Sequence, residues 1–155
     1  MSRDLAEASR WLQRAADRGE PISQLYLGLI REEKDYSHLA AAAWYRKAAE
    51  QGLPQAQQKL AYVLDQGRGV PRNAPEAYLW YVIASDAGRW SGVNDMSKLE
   101  SEIGTNATLE AKQKAVTMER EINDRRNALG CFEWPNRSLE FPMPPPPKYQ
   151  SSCKR

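Results

Sequence analysis

The sequence predicts an all-α fold, a short α-solenoid of helix–turn–helix repeats. Three observations carry that expectation. A segment recurs as Arg-Trp-Leu-Gln-Arg-Ala-Ala-Asp-Arg-Gly at 10–19, Ala-Trp-Tyr-Arg-Lys-Ala-Ala-Glu-Gln-Gly at 43–52 and Leu-Trp-Tyr-Val-Ile-Ala-Ser-Asp-Ala-Gly at 79–88. Its landmarks keep register: Trp11, Trp44 and Trp80, then Ala15, Ala48 and Ala84, then Gly19, Gly52 and Gly88, first 33 and then 36 residues apart. Each copy ends on a glycine, the residue that most readily closes a helix. A period in this range marks stacked units that bury a core only against their neighbours.

The second repeat is the fullest. Residues 40–51 are alanine-rich, and Trp44, Tyr45 and Ala48 share a helical face. Gly52 ends that helix, and Leu53-Pro54 opens the next, where proline in the first turn forfeits no needed hydrogen bond. Ala56, Leu60, Val63 and Leu64 form its apolar stripe. Residues 66–73 close the repeat as a loop fixed by Gly67, Gly69 and Pro71, with Val70 expected to tuck inward.

These residues resemble Sel1-like repeats, whose pattern runs A-x-x-W-Y-x-x-A-A-x-x-G, then A-x-x-x-L, then G-x-G-V. Ala41, Trp44, Tyr45, Ala48, Ala49, Gly52, Ala56, Leu60, Gly67, Gly69 and Val70 fall at the matching places. The resemblance implies an α-solenoid related to tetratricopeptide arrays, acting as an adaptor or binding scaffold.

The outer repeats depart from the pattern. In the first, Leu25, Leu27 and Gly28 continue the match, but a charged stretch at 31–36 replaces the Gly-x-Gly-Val loop. In the third, a first helix is expected over about 75–87 and a second over about 91–103, the latter carrying Met96, Leu99 and Ile103 in line with Val93. A capping helix follows over about 107–129, with Ala111, Ala115, Met118 and Ile122 on one stripe. That makes about seven helices. The expected organisation is a repeat domain over 1–129, with repeats near 3–37, 38–73 and 74–104, and a Pro/aromatic-rich tail over 130–155.

Composition narrows the function. The 22 lysines and arginines nearly balance the 20 acidic residues and are interleaved with them, unlike the basic face that nucleic acid requires. No apolar run approaches the roughly 20 residues that span a bilayer. The first residues carry no apolar leader, so the expected location is cytoplasmic; removal of a signal peptide upstream would make it periplasmic instead. Cys131 and Cys153 both follow the repeats, unlike the Sel1-like branch with a cysteine pair in every repeat.

Chemistry is sparse. The single histidine, His38, stands where the second repeat begins and reads as a residue of the helix start. Neither a Gly-x-Ser-x-Gly elbow nor a phosphate-binding loop nor a dinucleotide fingerprint occurs, and Gly67-x-Gly69 joins two helices. The expectation is a non-enzyme without metal or cofactor. Trp11, Trp44, Trp80, Tyr45 and Tyr81 recur with the repeat and are expected in the core.

The function expected is protein binding. In a solenoid the first helix of each repeat lines the concave face. Between its core positions sit Arg10, Gln13, Arg14 and Asp17, then Ala43, Arg46, Lys47 and Glu50, then Leu79, Val82, Ile83 and Asp86. These are the candidate contacts for a protein partner. Leu79 and Val82 are large and apolar where the earlier repeats are mostly small or polar, so they need a cover. That cover is the final helix, the tail or the partner, and the tail aromatics Phe132, Trp134 and Phe141 are the candidates put forward. The family resemblance implies two roles, a bacterial immunity protein that blocks a secreted antibacterial toxin, or an adaptor in signalling or envelope processes. A β-lactam-binding or hydrolysing enzyme is the alternative of another class, and self-association is left open.

Overall fold

In the computed structural model, the described residues are 2–33, 36–86 and 93–128. Six helices follow one another within them: α1 (Ser2–Asp17), α2 (Pro21–Glu33), α3 (His38–Glu50), α4 (Pro54–Gln66), α5 (Ala74–Asp86) and α6 (Val93–Ala128). No strand occurs among the described residues. Each helix packs on the next in sequence, so the units stack as a short α-solenoid. The seventh helix expected from the sequence is joined to the sixth. Gly104 breaks the run with φ 77° and ψ 168°, between segments 93–103 and 105–128.

The apolar stripes make one continuous core. Tyr45, Ala48 and Ala49 of α3 meet Leu60, Val63 and Leu64 of α4, then Tyr78, Trp80 and Tyr81 of α5, then Leu99, Ala111, Ala115 and Ile122 of α6. Val70, between α4 and α5, packs against this core as expected. Neighbouring Gly69 lies against the backbone of His38 and Leu39, where any side chain would collide. The loop after α4 thereby reaches back to the start of α3.

Polar joints repeat with the helices. Gln24 Nε2 donates to the Ala16 carbonyl and Gln57 Nε2 to the Ala49 carbonyl, both at 3.2 Å, satisfying an acceptor near the end of the preceding helix. Gln51 Nε2 donates to Gln24 Oε1 at 2.8 Å and ties the first unit to the second. The Tyr45 hydroxyl donates to Glu32 Oε2 at 2.7 Å, and Lys59 and Arg68 approach the same carboxylate at 3.7 and 3.4 Å. Asp65, 33 residues after Glu32, accepts Arg72 at 3.2 Å, and Arg72 also reaches Glu102 of α6. Burial, with the Glu32 hydrogen bond second, pushes the Tyr45 hydroxyl well above the usual phenol range.

Candidate functional site

The candidate surface is the face formed by α1, α3 and α5, and its three parts differ. On α1, Arg10, Arg14 and Asp17 are exposed and Gln13 is half-buried. On α3, Ala43, Lys47 and Glu50 are exposed and Arg46 is half-buried. Of the four candidates on α5 only Asp86 is exposed; Val82 is half-buried, and Leu79 and Ile83 retain 6 % and 4 % of their exposure. Leu79 and Ile83, both candidate contacts, are therefore core, and the cover that Leu79 was expected to need includes α6. They cluster with Ala111, Ala115, Met118 and Ile122, so α6 lies over the concave positions of α5.

α6 reaches further than a cap confined to the third repeat. A side chain on Gly52, at φ 84°, would come 2.7 Å from Ile122 Cγ2, with Arg126 beside it. The helix thus passes from α5 to the turn that ends α3. It is pinned near its middle. The Tyr78 hydroxyl donates to Glu100, and Lys112 binds the same carboxylate at 3.0 Å with its ammonium 5.8 Å from the Tyr78 ring centroid. The hydrogen bond from Tyr78, then the one from Lys112, hold the Glu100 carboxyl below the usual carboxylate range. A shallow cavity of about 380 Å³ remains between the helices, lined by Leu79, Met118, Glu110, Lys114, Thr117 and Glu121.

The tryptophans do not share one environment. Trp80 is 1 % exposed, Trp44 is half-buried and Trp11 is 62 % exposed. The expectation of a core residue fails for Trp11 because α1 packs chiefly on α2, whereas α5 is enclosed by α4 and α6. Trp11 and Trp44 instead carry cations. The Arg14 guanidinium carbon lies 5.5 Å from the Trp11 ring centroid and the Lys47 ammonium 4.3 Å from that of Trp44. Each such stack is worth about 0.5–1 kcal/mol at an exposed site. Arg46 bonds Glu76 of the next repeat at 2.7 Å, a link that spacing alone did not reveal.

No group of three or more His, Cys, Asp or Glu side chains suited to a metal ion occurs among the described residues. Nor, among them, is any helix long and apolar enough to cross a membrane. Phe132, Trp134 and Phe141, with Cys131 and Cys153, lie outside the described residues.

The model of the Sel1 repeat matches residues 1–20, 22–53 and 54–88, more than half of the chain. The chain belongs to the Sel1 repeat family. Among solved structures it is similar to c5321, a protective antigen present in uropathogenic Escherichia coli strains that displays an SLR fold. The identity is 27 %, the TM-score 0.67, and the match covers 88 % of this chain and 30 % of that one. A Sel1 repeat protein from Oxalobacter formigenes is similar at 26 % identity and a TM-score of 0.55, over 76 % of this chain and 49 % of the other. This chain thus spans less than half of either structure's length. No curated protein matches it. Within the Sel1 pattern, the second alanine of the Ala-Ala pair, Ala16 in α1 and Ala49 in α3, supplies the carbonyl that Gln24 or Gln57 binds. The recurrence of glutamine at that 33-residue spacing was a readable signal for the joint.

Proposed function

We propose that this Sel1 repeat chain is a non-enzymatic protein-binding module that recognises its partner on the concave side of α1 and α3. One observation carries the reading. Those helices bury Ala16, Tyr45, Ala48 and Ala49 on one side and leave Arg10, Arg14, Asp17, Lys47 and Glu50 exposed on the other. Sel1 repeats are associated with protein–protein interaction, which the same face suits. The partner we propose is a secreted antibacterial toxin, the chain being the immunity protein that covers or distorts the toxin's working surface.

The test is survival under competition. A sensitive strain given the gene for this chain should survive co-culture with a toxin-secreting parent, and the Arg14→Glu/Lys47→Glu variant should protect less at unchanged helicity. Death of the strain despite good expression would remove the immunity role. A purified partner without toxin activity would select the adaptor alternative. Full protection by the double variant would move recognition away from this face.

A further inference from the structure

The open face has a charge arrangement that folding alone does not favour. α1, α3 and α5 each end on a carboxylate, Asp17, Glu50 and Asp86, and all three are exposed. A helix C-terminus already carries partial negative charge, so an anion there opposes the dipole. One turn earlier stands a cation in α1 and α3, Arg14 and Lys47. Pairing within the helix at this spacing would offset the cost. Neither pair forms: Arg14 is laid over Trp11 and Lys47 over Trp44. Asp17 accepts the Gln13 amide at 2.9 Å, and Glu50 and Asp86 meet no cation among the described residues. The result is two rows across the first two units, cations held on tryptophan and carboxylates one turn beyond.

The third unit shows what this face accepts. There Ile83 replaces the cation, and the concave positions are covered by a helix, α6. That helix approaches through Ala111, Ala115 and Ile122, a narrow seam of mostly small residues. Beside it, the equivalents of Leu79 and Ile83 are Ala43 and Lys47 on α3, both exposed. Next to α6, Ala43, Lys47 and Glu50 of α3 are therefore exposed and carry both signs of charge.

We propose that the concave face of α1 and α3 receives a helix of the partner protein, seated beside α6, with one row of carboxylates against Arg14 and Lys47 and one row of lysines or arginines against Asp17 and Glu50. This rests on the concave-face reading above and adds the partner's chemistry. The two protein rows lie one helical turn apart, a separation that adjacent rows on a facing helix can match. Trp11 adds apolar area that a bound helix would cover. Complementary rows of this kind set register and exclude wrong partners more than they add affinity.

A synthetic probe tests it. An alanine-based peptide of about 20 residues, long enough to hold a helix in water, carries Glu and Lys in two adjacent rows. An isomer of identical composition interleaves them. Fluorescence anisotropy with the full chain should show a preference of roughly tenfold for the two-row peptide, weakening with salt. The Asp17→Lys/Glu50→Lys variant should lose that preference. It should melt no lower than the parent, because lysine suits a helix C-terminus. Equal binding of both peptides, binding of neither, or a preference retained by the variant would overturn the inference. If the peptides fail while the cognate partner still requires Arg14 and Lys47, the inference falls and the concave-face reading stands. If the cognate partner binds without those residues, both fall.

Discussion

α1 and α5 hold equivalent places in the repeat and meet opposite surroundings. α5 has no charged residue from Ala77 to Ala84 and is buried on nearly every side, between α4 and α6. α1 alternates charged and apolar residues and packs chiefly on α2, leaving Trp11 in water under Arg14. The same tryptophan landmark is thus core in one helix and surface in the other. A repeat position specifies where a side chain points; the neighbouring helix decides whether it is covered.

The largest break in that comparison should come from Trp80. Trp80→Ala should cost about 3–5 kcal/mol in chemical denaturation, since it empties a fully enclosed site. Gly52→Ala should come next, at about 1–3 kcal/mol, because a side chain there is disfavoured at positive φ and would push on Ile122. If hydrogen exchange in residues 118–126 stays as slow as in the parent, α6 does not depend on this contact.

The clasp between α5 and α6 should be visible in acid. Glu100 titrates below the usual carboxylate range when folded, so its contribution is full above the unfolded value, near 4.3. That contribution is lost as pH falls through the lower folded value. Glu100→Gln should therefore flatten the acid side of the melting-temperature profile by lowering its neutral plateau slightly, and leave the acid end, where the parent has already lost the contribution, unmoved. The effect is small because the pair is solvated. An unchanged acid limb would assign the loss to other carboxylates.

Trp11→Ala should have the smallest effect of the landmark substitutions, about 0.5–1 kcal/mol, the worth of the Arg14 stack on an otherwise exposed ring. Comparing it with Trp80→Ala by thermal melting measures the environment alone, the repeat position being constant. Equal losses would mean that α1 is covered in solution.

Much of this was legible in the sequence. The register of Trp44, Tyr45, Ala48 and Gly52 against their counterparts defined the units, and Pro54 and Gly67 marked the ends of α4. What periodicity could not supply was reach. Ala111, Ala115 and Ile122 announce an apolar stripe without saying that it continues from α5 to Gly52. The candidate face was half legible for the same reason. Arg14 and Lys47 lie exposed as their spacing suggested, while Leu79 and Ile83 are removed from the surface by a helix from elsewhere in the chain. Their apolar character, unlike Arg10 or Lys47 at the same repeat positions, was the available sign of that cover.

The glutamine joints bear on how such a chain can change length. Gln57 closes onto Ala49 inside its own unit, as Gln24 closes onto Ala16, and Gln51 offers the next link backward to Gln24. A tandem duplication of about one period therefore carries its own fasteners, both the clasp within and the hook to its predecessor. Growth by copying needs no new complementary surface to be invented, only that the glutamine keep its place eight residues after the alanine whose carbonyl it binds. Apart from Arg46, which bonds Glu76 of the next repeat, the charges of the open face are not among the links between units, so successive copies are free to diverge there while the joints stay the same.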